Sequence, residues 1–192
     1  LEELLESKPN VAADPRIDEL VRTLRRASEA TDPVVIQQAY GGYIRELLGV
    51  ESYLGLSVRG LAPGQYKITR RMHGSRIVGE KDPWHNWSRM PAHRGGFLAG
   101  IVADPGPKTF RNLFLTGDPV LGDEFAEFGS AIAMPMYDSG EALNWGVSFK
   151  REPDGFTPEQ VFDALMRANM IGGVVRNLVT RQRVEDLNRR LA

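Results

Sequence analysis

In Ser130-Ala-Ile-Ala-Met-Pro-Met-Tyr137 the apolar composition predicts a β-strand, and Leu143-Asn-Trp-Gly-Val-Ser-Phe149 predicts a second one. Between them, Asp138-Ser-Gly140 has the residues of a tight turn, so the two strands are expected to pair as a hairpin. Next comes Phe156-Thr-Pro-Glu-Gln160, in which threonine, proline and glutamine stand where a capping box needs them. The sequence therefore predicts a hairpin followed by one long helix.

Two further helices are predicted near the start of the chain. Asp14-Pro15 and Asp32-Pro33 each supply a capping side chain followed by a proline that suits the first helical turn. Apolar residues then recur at helical spacing, up to about Ala30 in the first case and up to Gly49 in the second. Residues 1–6 are expected to be the end of a preceding helix.

A second pair of strands is predicted over residues 53–59 and 65–72, which alternate with period two around a glycine-containing turn. Leu54, Leu56 and Val58 are expected to face one side of the sheet. The pattern is weaker from residue 72 to residue 130, where only residues 96–102 and 112–115 have strand-like content. This long segment is expected to cross over the sheet.

The hairpin, the Phe156-Thr-Pro-Glu-Gln160 cap and the final helix together resemble the C-terminal half of a GAF domain, and the resemblance extends back to residues 53–72. Within that family, three stretches look most like the N-terminal sensor domain of a bacterial serine/threonine phosphatase of the sporulation-regulator type: Gly95-Gly-Phe-Leu-Ala99, Pro135-Met-Tyr-Asp-Ser-Gly-Glu-Ala-Leu143 and Arg183-Val-Glu-Asp-Leu-Asn-Arg-Arg-Leu191.

The resemblance implies an α/β (α+β) fold with a central antiparallel sheet, N- and C-terminal helices on one face and a crossover pocket on the other. It implies one sensor domain over residues 1–192, with helices in 1–48, sheet and crossover in 53–151 and a signalling helix in 157–192. The expected role is regulatory rather than enzymatic. A small molecule or a partner would be sensed, and a covalently linked output domain would receive the signal.

The amino-acid composition excludes several classes of function. The 192 residues, 42% of them hydrophobic, suffice for one core, and the net charge of −1 favours neither nucleic acid nor an anionic membrane. No apolar run is long enough to span a bilayer, no charged-then-apolar leader is present and the sequence begins at Leu1 rather than at Met, so we expect a fragment of a longer cytoplasmic protein. The absence of cysteine excludes disulfides, thiolate-ligated metals and a bilin attached through a cysteine. The cofactor, if there is one, stays unknown.

The crossover holds the three histidines and two of the three tryptophans, so the candidate pocket was sought there. Its candidate ligand-binding residues, chosen for aromatic or cationic character, are Tyr66, Arg70, Trp84, His85, Trp87, Arg89, Phe97 and Phe128. The alternative interpretation is that these aromatic rings fill a small core under a long loop. A metal site is not predicted, because the spacing of the histidines does not suit metal ligation.

Charge is unevenly distributed, with cations in excess over residues 65–96 and only acids over residues 118–141. Either Arg70 or Arg89 binds an anionic ligand, or the two segments form ion pairs with each other. The Asn-Lys-Phe-Asp-Glu signature of cyclic-nucleotide-binding GAF domains is not found. Neither a nucleophile elbow nor a phosphate-binding glycine-rich loop is present, so no catalytic residue is proposed.

The final helix shows two apolar series. Ile171, Val174, Val175 and Leu178 are expected to pack on the domain. The second series alternates spacings of three and four, as in a coiled-coil seam, and comprises Met170, Gly173, Asn177, Thr180, Val184, Leu187 and Leu191. It predicts a homodimer through the terminal helices. The alternative to a ligand sensor is therefore a dimerisation scaffold that binds no ligand.

Overall fold

The computed structural model describes residues 15–29, 31–74, 76–78, 83 and 85–191. In chain order the elements are α1 (Pro15–Glu29), α2 (Pro33–Leu48), β1 (Ser52–Ser57), β2 (Lys67–His73), β3 (Arg76–Val78), α3 (Gly96–Val102), β4 (Lys108–Phe110), β5 (Ser130–Asp138), β6 (Glu141–Lys150) and α4 (Pro158–Leu191). The predicted cap at Asp14 and the predicted helix over residues 1–6 lie outside the described residues.

The strands form one six-stranded sheet in the order β3-β2-β1-β6-β5-β4, and every neighbouring pair is antiparallel. The predicted hairpin is confirmed as β5 and β6, which pair from Ser130↔Lys150 to Asp138↔Glu141. Ser139 and Gly140 connect them with φ angles of 54° and 87°, a left-handed turn that glycine favours. β6 and β1 lie at the centre of the sheet.

The two faces of the sheet carry different cores, because successive side chains of a strand point to opposite faces. On β5, Ala131 and Ala133 join the core under the crossover, whereas Ile132 and Met134 join the core under α2 and α4. Leu54, Leu56 and Val58 all contact the core under the crossover, so they face one side of the sheet as predicted. The expected GAF-like architecture is therefore confirmed, with helices on one face and the crossover on the other.

Local sequence determines where the long helices begin and end. The predicted capping box of α4 is confirmed: the Thr157 N–H donates to Gln160 Oε1 (3.1 Å), and the Gln160 N–H donates to Thr157 Oγ1 (3.3 Å). At α2 the Asp32 carboxylate accepts the Val34 N–H at 2.8 Å. Gly49 ends α2 with a φ of 61°, a left-handed conformation that glycine adopts without strain.

Two predictions in the crossover were wrong, and the short strand β4 was not predicted. Residues 96–102 form the helix α3 rather than a strand, with Leu98 and Ile101 one turn apart and buried in the core. Periodicity does not distinguish helix from strand in so short an apolar run. Residues 112–115 form no strand either, since Asn112 adopts a φ of 50° and the strand before it is β4. The short strand β3 was not predicted.

Candidate functional site

Aromatic side chains fill the space between the sheet and the crossover. Phe125, Phe128 and Phe149 are fully buried, with ring centroids 4.9 to 5.6 Å apart. Phe97 of α3 lies edge-on against Phe110 at 4.8 Å. Aromatic contacts at these distances stabilise a core beyond the area that they bury. The face of the sheet on which a ligand pocket was predicted is thus packed with the protein's own side chains.

Tyr66 stabilises the turn that precedes α3. Its side chain is fully buried, and its hydroxyl donates a hydrogen bond to the Gly95 carbonyl at 2.9 Å. Its backbone also pairs with that of His93. Burial, with a smaller effect from the Asp118 carboxylate, raises the pKa of Tyr66 to about 12. Tyr66 therefore remains a neutral hydroxyl at physiological pH.

Asp118 joins the loop before β5 to the start of α3. Its carboxylate accepts backbone N–H groups from Phe97 (2.6 Å), Val120 (2.9 Å) and Leu121 (2.8 Å). Burial acts to raise the pKa of Asp118, but these hydrogen bonds outweigh it and lower the pKa below its usual value. A Cβ at Gly96 would lie 2.9 Å from the carboxylate, so this position needs glycine. Sequence reasoning missed this role of Asp118.

Trp145 of β6 places a polar atom in the crossover core. The residue is 1% exposed, and its indole N–H has no hydrogen-bond acceptor among the described residues. An unsatisfied buried donor costs about 1–3 kcal/mol. Such groups are uncommon in folded proteins, and each one needs an explanation such as a bound water or ligand. Sequence reasoning assigned Trp145 only to a strand.

Two buried residues of β2, Arg70 and Lys67, lie on the helix-bearing side of the sheet, and Arg70 is one of the predicted site residues. Leu54 and Leu56 face the crossover, so Gly55 between them faces the helices. The Cβ of the buried Arg70 lies 3.4 Å from the position that a Cβ at Gly55 would occupy, which places Arg70 on the same face as Gly55. Lys67 is also buried, and its ammonium donates to the Trp87 carbonyl at 2.5 Å and lies 4.5 Å from the Trp87 ring centroid. Lys67 therefore anchors the turn that carries Trp87.

The structure separates the eight candidate residues. Tyr66, Phe97 and Phe128 belong to the crossover core, whereas Arg70 and Trp87 are held elsewhere. His85 and Arg89 are exposed, and Trp84 lies outside the described residues. The described residues thus do not bring the candidates together in one pocket, and ligand contact by them stays a prediction.

A small cleft opens on the helix side of the sheet, between α2 and the strands β1 and β2. Its volume of about 10 Å³ has room for about one water molecule, and its lining residues include Ile44, Arg45, Tyr53 and Met72. Burial raises the pKa of Tyr53, so its hydroxyl stays protonated at neutral pH. The cleft is too small to hold a ligand larger than water without movement of α2.

The described charged residues make few contacts between the basic and the acidic segments. Arg71 meets Glu124 at 2.8 Å, which supports the pairing interpretation at that position. Glu127 instead pairs with Arg151 at 3.0 Å. Within the described residues, no cluster of three or more histidine, aspartate or glutamate side chains forms a metal site. No described helix is long and apolar enough to cross a membrane.

α4 exposes the predicted seam. Its buried side consists of Ala164, Arg167, Ala168, Ile171 and Val175, and Val174 and Leu178 pack beside Ile171 as predicted. The opposite side carries exposed apolar residues, with Val184 50%, Leu187 57% and Leu191 85% exposed. The structure adds Phe162 and Met166 to this stripe, eight and four residues before Met170, respectively. Their spacing was visible in the sequence but was not used.

The fold has close counterparts among solved structures. The GAF domain of a phosphoenolpyruvate-protein phosphotransferase from Coxiella burnetii matches with a TM-score of 0.66 and 11% identity, over 86% of this chain and 95% of that one. The GAF-B domain of DevS from Mycobacterium smegmatis matches with a TM-score of 0.54 and 17% identity, over 80% of this chain and 99% of that one. The chain has the fold of a GAF domain. No protein-family model matches the sequence, and no curated protein matches it significantly.

The same fold also carries enzymes. Free methionine-R-sulfoxide reductase from Neisseria meningitidis matches with a TM-score of 0.58 and 11% identity, over 86% of this chain and 89% of that one. At such identities the likeness establishes the fold and leaves the activity to the residues of the site. Because this sequence contains no cysteine, cysteine-dependent chemistry is excluded.

Proposed function

We propose that this chain is a regulatory sensor domain of a signalling protein and that its output passes through α4. The observation that carries the proposal is the geometry of this 34-residue helix, which buries one side on the domain and exposes an apolar stripe on the other. Beyond Gln182, which donates to the Thr31 carbonyl at 3.2 Å, every residue up to Leu191 except Asp186 is exposed. This segment is well placed to transmit a change in packing to whatever it contacts.

The partner that fits the stripe is a second copy of the same chain. Leucine and valine at alternating spacings of three and four pack knobs into holes when two such helices associate. The proposed seam comprises Met170, Gly173, Asn177, Thr180, Val184, Leu187 and Leu191. Phe162 and Met166 extend it along the body of the domain. A homodimer removes these side chains from water and fixes the relative positions of the two helix ends.

The output domain is proposed to be covalently linked, cytoplasmic and a serine/threonine phosphatase. The support is the resemblance of residues 95–99, 135–143 and 183–191 to the corresponding stretches of such sensor domains. Two of these stretches have clear structural roles here. Gly95 and Gly96 shape the start of α3 with φ angles of 72° and 70°, and residues 183–191 form the exposed end of α4.

The signal proposed to be sensed is a small molecule that enters the crossover core. The support is the buried Trp145 N–H, which needs an acceptor. A ligand that brings a carbonyl, carboxylate or hydroxyl oxygen would satisfy it. The second candidate function is a scaffold that dimerises without a ligand, and the tight packing of Phe97 and Phe128 favours it.

Native mass spectrometry of the purified chain, followed by a thermal-shift screen of nucleotides, amino acids, carboxylates and haem, separates these functions. A ligand at a hundredfold its dissociation constant stabilises the fold by about 2.7 kcal/mol. Trp145→Phe is the matched variant, since it keeps an aromatic ring and removes the N–H. A ligand whose effect disappears in this variant supports the sensor. A dimer without any response supports the scaffold, and a chain that stays monomeric at all concentrations and shows no response contradicts both.

A further inference from the structure

The tip of the β5–β6 hairpin is joined to two other parts of the fold by one carboxylate. Asp138 ends β5, and each of its oxygens accepts a hydrogen bond from a different arginine. Arg59, which follows β1, donates to Oδ2 at 2.8 Å, and Arg176 of α4 donates to Oδ1 at 2.9 Å. The Asp138 side chain is 19% exposed. The bond from Arg59, helped by Ser139 and Arg176, lowers the pKa of Asp138 and keeps it charged at neutral pH.

A second polar link joins the same hairpin to α4. β4 pairs with residues 131–133 of β5, and no other strand of the described residues pairs with the rest of that edge. The carboxamide of Asn169 takes the place of one, because it accepts the Tyr137 N–H at 2.9 Å and donates to the Pro135 carbonyl at 3.0 Å. A carboxamide offers a donor and an acceptor as a peptide group does. Asn169 thus continues the ladder from the helix.

The positions of these links on α4 give them a mechanical role. Asn169 and Arg176 are seven residues apart, about two turns, so they lie on the same side of the helix. At about 100° per residue, this side is roughly 120° from the buried side and roughly 60° from the exposed stripe. The buried side contains Ala164 and Ala168, and Gly172 packs on Met136. Ile171 and Val175 pack on this side too, so packing limits the rotation of α4, and the polar links further constrain the orientation where the facing side chains are small.

We propose that Asp138, together with Asn169, sets the rotation of α4 about its own axis and thereby determines which side of the helix a partner helix meets. This inference rests on the proposed function, in which α4 carries the output. Asp138 is a positioning residue, since it acts through Arg176 and not on a ligand. Arg59 follows β1, which lies at the centre of the sheet. A displacement of β1 would therefore be transmitted to α4 through the Asp138 carboxylate.

The absence of cysteine makes the test clean, because each introduced cysteine is unique. Single cysteines placed in turn at residues 183–189 are oxidised, and the cross-linked fraction is measured for each position. In the otherwise unchanged chain, Val184→Cys and Leu187→Cys should cross-link most. With Asp138→Asn, the maximum should shift to neighbouring positions or flatten. Glu141→Gln is the matched control, since it neutralises an exposed acid of the same hairpin.

A second readout does not need a dimer. Hydrogen exchange of the amides at residues 169–178 should be about fivefold faster in Asp138→Asn than in the unchanged chain, the size expected for loss of partly exposed ion pairs. Unchanged exchange together with an unchanged cross-linking pattern overturns the role of Asp138 and leaves the dimer intact. If no position cross-links in the unchanged chain, the dimer proposal fails, and the exchange measurement still decides whether Asp138 orders α4.

Arg176→Gln provides the same test if Asp138→Asn does not fold, because it removes only the link on the α4 side. The same shift of the cross-linking maximum and the same faster exchange are expected from it. If Arg176→Gln matches the unchanged chain in both measurements, the inference is wrong.

Discussion

Leu187→Lys tests the proposed seam at its most exposed central position. Leu187 is 57% exposed in the single chain. Full burial of a leucine side chain is worth about 1.5–3 kcal/mol, so covering the exposed part contributes about 1–1.5 kcal/mol. A symmetric dimer contains two copies, which gives about 2–3 kcal/mol, or a dissociation constant weakened by roughly 30- to 150-fold. Two lysine charges near each other add to this loss.

Sedimentation equilibrium over a range of protein concentrations measures this change directly. The urea midpoint, measured at a concentration at which both chains are monomeric, should stay the same, since none of the core clusters of the described residues contains Leu187. Leu187→Met is the control, because it conserves volume and should dimerise with an affinity close to that of the unchanged chain. The reasoning is refuted if Leu187→Lys associates within threefold of the unchanged chain, or if the unchanged chain is a monomer throughout.

Four further predictions concern the domain itself. Asp118→Ala leaves three backbone N–H groups without their acceptor and should lower the free energy of unfolding by about 2–4 kcal/mol in urea, against less than about 0.5 for Glu141→Ala. Because the pKa of Asp118 is lowered on folding, its charge stabilises the fold fully above the unfolded pKa of about 3.9, and this stabilisation is lost as pH falls through the folded pKa. A difference in unfolding free energy between the unchanged chain and Asp118→Asn that stays constant down to about pH 2 would contradict this. Thr157→Ala should cost about 1 kcal/mol through loss of the α4 cap, whereas Thr157→Ser should cost little, and equal stability of the two would argue against the cap. In an ultraviolet titration, Tyr66→Phe should lose an ionisation near pH 12, whereas the raised ionisation of Tyr53 should remain.

Local physical chemistry made much of the fold predictable. The Asp138-Ser-Gly140 turn, the Thr157 and Gln160 capping box and the Asp32 cap each act within a few residues, so their effect is readable without knowing the rest of the chain. The exposed seam was predictable for a similar reason, since helical spacing alone places its residues on one side. The lack of cysteine excluded whole classes of chemistry.

The site was less predictable because it depends on contacts between distant residues. Tyr66 and Lys67 are adjacent in sequence, yet Tyr66 belongs to the crossover core, whereas Lys67, the first residue of β2, points to the other face and contacts the Trp87 ring. No feature of the neighbouring sequence shows whether Tyr66 or Trp87 lies in the crossover core. The role of Asp118 depends on α3, which lies about twenty residues earlier and was itself predicted to be a strand.

The sequence alone determined the hairpin, the two N-terminal helices, the capped α4 and its exposed seam, because turns, caps and periodicity are short-range properties. Only the tertiary structure decided that α3 is helical, that the crossover core is filled by aromatic rings around an unsatisfied Trp145 N–H, and that Asp138 joins β1 to α4. These features arise where segments far apart in sequence meet, and their energies come from burial and hydrogen-bond partners that no single segment contains.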